Sequence, residues 1–130
     1  MLPRSMPQLP GLEFAAKYIP AGDLAGDLYD FVSLDEDRIG FLLGDASGKG
    51  VAAALVMAAA RSALRFAAHG NTDPSMVMFT TNRQLVRGIK NRFYVAAFYG
   101  ILNTRERWFL WSNAVITRRS ASARIIPCPA

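Results

Sequence analysis

The sequence predicts an α+β fold in which helices cover an antiparallel sheet. Three strand-like segments come first, two helix-like segments follow, and two more strand-like segments come after them, in the order β-β-β-α-α-β-β. Strands and helices grouped in this way are typical of α+β layers. The chain has 130 residues, of which 52% are hydrophobic, so one domain or part of one has enough apolar material for a core.

The first part of the chain contains three predicted strands. Residues 1–11 are rich in proline and are predicted to form a linker or leading arm. Residues 12–19 alternate imperfectly in polarity, which predicts a first strand that ends at Pro20. The segments LYDFVSL and RIGFLLGD are strand-like and are separated by the acidic turn DED, so they predict a hairpin.

Two helices and a second hairpin are predicted next. Residues 51–69 are rich in alanine and have the pattern of an amphipathic helix. Pro74 suits the first turn of a second helix that reaches about Ile89. The segments FYVAAFYGILN and RWFLWSN, with a turn at 104–106, predict the second hairpin. One face of the first helix is expected to carry Leu55, Ala58, Ala59, Ser62 and Phe66.

Composition and charge argue against several classes of function. The net charge is +5, but residues 115–130 hold three arginines and no acid, so the rest of the chain is nearly neutral and no nucleic-acid partner is expected. The sequence has no uninterrupted apolar run of about 18 residues, so no membrane span is expected. Prolines break up the N-terminal residues, where a signal peptide needs an apolar run, so the expected location is cytoplasmic. Cys128 is the single cysteine, which excludes an internal disulfide.

Asp27 and Asp45 are the candidate metal ligands. Asp27 ends a loop rich in glycine and aspartate, and Asp45 follows the apolar segment FLLG. A carboxylate beside an apolar strand is costly to bury alone and usually has a cation or a backbone donor as its partner. Carboxylate and carbonyl oxygens suit hard ions such as Mg²⁺ or Mn²⁺. The residue types alone leave an alternative open, in which Asp45 caps the helix near Val51 or both aspartates only form turns.

The other polar residues of these loops favour structural roles. Lys49 lies in the loop GDASGKG, but the glycine spacing and the glycine after the lysine do not match a phosphate-binding loop. That mismatch disfavours a nucleotide-binding, kinase-like regulator. His69 is predicted to cap the C-terminal end of the first helix. Turn or cap roles are predicted for Asp23, Asp30, Asp35 and Asp37.

Four segments resemble a known family: GLEFAAKYIPAGDLAGDLYDF, RIGFLLGDASGKGVAAALVMAAARSALR, RFYVAAFYGILN and WSNA. Over residues 9–114 the chain resembles the SpoIIE/RsbU-type branch of the PPM (protein phosphatase 2C-like) serine/threonine phosphatases. The resemblance implies a β-sandwich flanked by helices, with two Mn²⁺ or Mg²⁺ ions at one edge. It also implies that Asp27 and Asp45 are the first two metal-binding aspartates and that Ala46 binds through its main-chain carbonyl.

A reaction and its partners follow from the same resemblance. Two divalent ions activate a water for in-line attack on phosphorus, so no protein nucleophile is required. The implied substrate is a phosphoserine or phosphothreonine on an anti-sigma-factor antagonist of the STAS type. Upstream sensor or receiver domains commonly control this branch, and an arm such as residues 1–11 is where one would attach.

The resemblance ends at Ala114, where the family continues with a Gly-His-x-Pro-Pro motif and two later acidic motifs. This sequence instead continues VITRRSASARIIPCPA and has no acid after Glu106. With C in the third codon positions, a one-base shift of frame gives Gly-His-His-Pro-Pro-Leu. We therefore hypothesise that a one-base deletion put residues 115–130 out of frame, and an unusual natural terminus is the alternative. Third bases in the gene that are not largely C would contradict the hypothesis.

Two functions remain in competition on this sequence. The first is a phosphatase domain with an incomplete sandwich, inactive as these residues stand, whose exposed sheet edge favours aggregation or a homodimer. The second is a non-catalytic module that binds the same STAS-type partner. The two differ in whether a complete metal site is present.

Overall fold

The computed structural model describes residues 3, 5–19, 26–88, 93–117 and 124–125. The described strands form one antiparallel sheet in chain order, and both helices pack on the same face of it. The predicted α+β class is therefore confirmed, and the described residues supply one sheet layer with its helices. The elements are β1 (Asp27–Ser33), β2 (Arg38–Ala46), α1 (Gly50–Ala68), α2 (Pro74–Gly88), β3 (Val95–Asn103), β4 (Trp108–Ile116) and β5 (Arg124–Ile125).

Both predicted hairpins are confirmed. In the first, Asp35 closes the turn between β1 and β2, because its Oδ1 accepts hydrogen bonds from the amides of Asp37 and Arg38. In the second, the turn between β3 and β4 is held by Asn103, whose Oδ1 accepts a hydrogen bond from the amide of Glu106. The central contact of the sheet joins the two hairpins, since β2 pairs with β3 over nine residues.

The predicted first strand over residues 12–19 is wrong. These residues are all described, and they form no strand beyond an isolated bridge between Leu9 and Leu12. Phe14 instead packs on the sheet, with its ring centroid 5.7 Å from that of Phe31 and 5.5 Å from that of Phe41. The alternation in the sequence therefore reflects aromatic packing on a sheet face, not pairing in a ladder.

Helix α1 begins and ends within one residue of its prediction, but its predicted apolar face is turned to solvent. Leu55 and Phe66 are 66% and 71% exposed. An alanine-rich helix has apolar residues on both faces, so periodicity alone does not identify the packed one. The residues that α1 buries against the sheet and α2 are Ala53, Met57, Ala60, Leu64, Ala67 and Ala68.

Within the described part of the chain, α1 is also the one helix long and apolar enough to cross a membrane, judged by length and composition. Met57 and Leu64 on this helix are nearly fully buried in the core, and Arg61 and Arg65 bind a buried carboxylate. Packing in the core therefore accounts for one face of this helix, while apolar side chains of the other face, such as Leu55 and Phe66, are exposed.

The sheet face opposite the helices is aromatic, and its rings are half-buried. Phe41 lies at the centre of this outer face, and its ring centroid is 5.5 Å from Phe31 and 6.1 Å from Phe109. Phe98 extends the cluster, since its ring centroid is 5.4 Å from that of Trp111. An apolar face of this kind is the inner surface that a two-layer sandwich requires.

Two predicted boundaries, the end of the domain and the end of the second helix, lie near residues that the structure does not describe. Strand β4 continues to Ile116, two residues beyond the predicted end of the domain at Ala114, and β5 pairs with Ser112 and Asn113. Residues 118–123 and 126–130 lie outside the described residues, as does the predicted end of the second helix at Ile89. The division of the chain at residue 114 and the frame-shifted tail therefore stay predictions.

Candidate metal centre

The two candidate ligands lie side by side. Asp27 is the first residue of β1, Asp45 is the last but one of β2, and the two are direct partners in the antiparallel register. Opposed residues of an antiparallel pair point to the same face, with Cβ atoms about 4.5–5.5 Å apart. Both carboxylates therefore lie on the outer face of the sheet, at the edge where β1 begins and β2 ends.

Among the described residues, this pair of carboxylates has no positively charged partner. Desolvation raises the pKa of Asp45 above its ordinary value of 3.8, and a hydrogen bond with Asp27 and the like charge of that carboxylate raise it further. The ion pairs found among the described residues involve neither carboxylate. Two adjacent carboxylates either share a proton or attract a cation.

Ala46 brings a main-chain oxygen to the same end of the sheet. Its amide donates a 3.1 Å hydrogen bond to the carbonyl of Gly26, which directly precedes Asp27. A Cβ added to Gly26 would lie 2.8 Å from the Ala46 carbonyl oxygen, so only glycine allows these two backbone segments to approach so closely. The three predicted ligands are therefore brought together at one edge.

The loop after Ala46 is fixed by its backbone. The Ser47 amide donates to the carbonyl of Tyr94, and the Tyr94 amide donates back to the Ser47 hydroxyl, each at 2.9 Å. Gly48 and Gly50 have positive φ angles of 97° and 72°, which explains the glycines of this loop. The loop thus turns away from the sheet and leads directly into α1.

The structural alternatives for the two aspartates are wrong. The N-cap of α1 is Lys49, which makes no side-chain capping bond, so Asp45 does not cap this helix. Asp27 and Asp45 both belong to strands, so neither forms a turn. His69 occupies the C-cap position of α1, as predicted.

Asp30 is an important residue whose role the sequence analysis missed. It was predicted to serve a turn or a cap, but it lies in the middle of β1, 2% exposed, on the face that packs against α1. Its Oδ2 accepts hydrogen bonds from Arg61 Nε at 2.8 Å and Arg65 Nη1 at 2.7 Å. Burial raises its pKa, but the two arginine hydrogen bonds outweigh that effect and leave the pKa below 3.8. The Arg-x-x-x-Arg spacing on the helix was the available signal.

Of the remaining aspartates assigned to turns, Asp35 is confirmed in that role by its backbone hydrogen bonds. Asp37 lies in the same turn and forms a 3.7 Å ion pair with Arg105. Asp23 lies outside the described residues.

An open groove of about 700 Å³ runs along the outer face beside the carboxylate pair. Its walls include Asp27 and Asp45, the side of the aromatic cluster at Phe98, and Asn113 of β4. Lys17, from the segment before β1, also lines it. The groove is wide enough for a small ligand and has charged groups at one end.

The donor set fits a hard divalent cation. It consists of oxygens alone, two from carboxylates and one from the carbonyl of Ala46, and a cation between them would remove the like-charge repulsion at Asp45. Among the described residues no group of three or more His, Cys, Asp or Glu side chains is placed to hold a metal.

Comparison with known proteins gives a consistent result. The sequence profile of the family described as Stage II sporulation protein E (SpoIIE) matches residues 35–124. The phosphoserine phosphatase RsbU of Bacillus subtilis (strain 168) is 29% identical over 114 residues, which are 88% of this chain and 34% of RsbU. The chain thus spans about a third of the length of this relative.

Solved structures share the fold. The SiaA-PP2C domain of Pseudomonas aeruginosa superposes with a TM-score of 0.68 at 20% identity, over 81% of this chain and 52% of that one. The PP2C phosphatase domain of SpoIIE from Bacillus subtilis, with a fragment of its regulatory domain, gives 0.70 at 13% identity, over 84% and 39%. At these identities the likeness shows the fold alone.

Proposed function

Because the chain belongs to the SpoIIE family and is a PPM-type phosphatase domain of the SpoIIE/RsbU kind, we propose that Asp27, Asp45 and the carbonyl of Ala46 bind Mn²⁺ or Mg²⁺ for phosphomonoester hydrolysis. The observation that carries the proposal is the direct pairing of Asp27 with Asp45 on one face of the sheet. When bound, divalent ions supply positive charge to the phosphoryl oxygens and lower the pKa of a water molecule.

The residues of this chain then have defined tasks. Asp27 and Asp45 hold the cations at the rim of the sheet, and the rigid β1–β2 ladder fixes the spacing of the two carboxylates. The Ala46 carbonyl requires no particular side chain, so alanine suffices there. The proposed substrate is a phosphoserine or phosphothreonine of a STAS-type anti-sigma-factor antagonist in the cytoplasm, which accords with the description of RsbU as a phosphoserine phosphatase.

A second candidate function is favoured by the small number of ligands. The described residues provide two carboxylates at this site, and no acidic residue follows Glu106 in the sequence. A two-metal centre requires more carboxylates than these. We therefore propose that these 130 residues alone bind metal weakly and hydrolyse little, and that they retain the ability to bind the partner.

Calorimetric titration with Mn²⁺ tests the metal site. We expect weak binding to the parent chain and a loss of affinity of about 100-fold or more in Asp27→Asn and in Asp45→Asn, because each removes a charged ligand. Glu36→Gln is the matched control, since Glu36 is an exposed acid in the β1–β2 turn and should leave the affinity unchanged. Equal affinities in all four proteins would overturn the proposed site.

The same preparations distinguish the two functions. Manganese-dependent hydrolysis of p-nitrophenyl phosphate at a rate normal for a phosphatase would refute the inactivity of these residues. Background hydrolysis, with retention of a phosphorylated STAS-type protein in a pull-down, would favour the binding module.

A further inference from the structure

We propose that Lys17 is a phosphate-binding residue of the groove and that it contacts the substrate's phosphate monoester opposite the two carboxylates. The inference rests on the proposed function and deepens it, because it names a residue outside the metal ligands that recognises the substrate. Three observations support it: the position of Lys17, the absence of an ion-pair partner for it among the described residues, and the chemistry of the groove.

The position of Lys17 is set by the aromatic cluster. Phe14, three residues earlier, packs its ring on Phe31 and Phe41 of the outer face. Lys17 lines both the cavity beside those rings and the groove that contains Asp27 and Asp45. Residues 12–19, which form no strand, therefore place Lys17 beside the candidate site.

The charge of Lys17 is not neutralised by a neighbour in the described structure. Lys17 is exposed and takes part in none of the ion pairs found among the described residues, although it lines the same groove as both carboxylates. Its ammonium group is therefore more than 4.0 Å from the carboxylate oxygens of Asp27 and Asp45 and forms no direct ion pair with them.

The composition of the groove fits a phosphate monoester. Lys17 is the basic residue among those that line it, and lysine binds phosphate as a compact charge with three donors. Asn113, exposed on β4, lines the same groove and adds a carboxamide that donates hydrogen bonds. The groove therefore offers a phosphate dianion both hydrogen-bond donors and the two carboxylates proposed to bind the cation.

Titration with inorganic phosphate, followed by amide chemical shifts of the 130-residue chain, tests the proposal. Each titration is made with and without Mg²⁺. We expect Lys17→Ala to weaken phosphate binding by about tenfold, because it removes a charge-assisted contact. Lys17→Arg should keep the affinity within about threefold, since arginine also donates to phosphate. Lys49→Ala is the control, because Lys49 does not line the groove, and should behave as the parent chain.

The outcomes separate this inference from the proposed metal site. Equal phosphate affinity in the parent chain and Lys17→Ala, or no phosphate binding by the parent chain, would overturn the role of Lys17. The Mg²⁺ affinity is measured separately and should not fall in Lys17→Ala, because the change removes a positive charge near the cation. Failure of Mg²⁺ to bind, with phosphate binding that still depends on Lys17, would overturn the metal site and leave the role of Lys17 standing.

Discussion

The two faces of strand β1 place carboxylates in opposite electrostatic environments. On the helix face, Asp30 is buried and accepts hydrogen bonds from Arg61 and Arg65, and its pKa is lowered. On the outer face, Asp27 lies beside a second carboxylate, Asp45, whose pKa is raised. The two sites are three residues apart on one strand.

This difference separates a charge that is balanced within the fold from a pair of like charges that is not balanced among the described residues. Where the chain supplies its own cations, the carboxylate joins a helix to a strand and its charge is balanced within the fold. Where the chain places two acids together without a cation, the folded state carries an unfavourable interaction that an external cation relieves. The lowered pKa of Asp30 and the raised pKa of Asp45 follow from these two arrangements.

The largest expected effect is on the helix face. Asp30→Ala should lower the free energy of unfolding by about 2 kcal/mol, because two arginines lose a shared charged acceptor. The loss stays below that of a fully buried pair, since the Arg61 and Arg65 side chains are 29% and 40% exposed. Urea denaturation at constant slope measures it. The exposed pair of Asp37 with Arg105 is the control, and Asp37→Ala should cost much less.

If Asp30→Ala and Asp37→Ala destabilise the chain equally, the ion pairs between β1 and α1 do not stabilise the fold as proposed. A double-mutant cycle of Asp30 with Arg65 gives the same answer independently, because a genuine pair shows a coupling energy.

A smaller effect of opposite sign is expected on the outer face. Without metal and at neutral pH, Asp45→Asn should raise stability by a few tenths of a kcal/mol, because it removes like charges opposed across a ladder. The raised pKa of Asp45 means that the folded chain binds this proton more tightly than the unfolded chain does. The stabilisation by Asp45→Asn should therefore shrink as the pH falls through that pKa. Thermal melts in chelator across the acid range measure it, and a gain that is constant with pH would contradict the coupling.

The sequence predicted the outer face better than the helix face, for a physical reason. The two hairpins depend on local turns and on short motifs, which the sequence displays directly. The packed face of α1 depends on which side meets the sheet, and an alanine-rich helix presents two apolar sides. The face that carries Leu55 and Phe66 is the exposed one.

The remaining misses have the same origin in tertiary contacts. The role of Asp30 depends on two arginines more than thirty residues away, a separation that no local pattern reports. Residues 12–19 have strand-like alternation, but the ring of Phe14 packs on aromatic rings of a sheet that later residues form. Long-range packing, not propensity, decided both.

The proposed function depends most on a cation held between Asp27 and Asp45. Crystals of the chain soaked in Mn²⁺ and measured for anomalous scattering test it directly. The expected result is a peak within ligand distance of both carboxylates and the Ala46 carbonyl, absent from crystals of Asp45→Asn. A peak elsewhere, or carboxylates left without metal while Mn²⁺ occupies other sites, would contradict it.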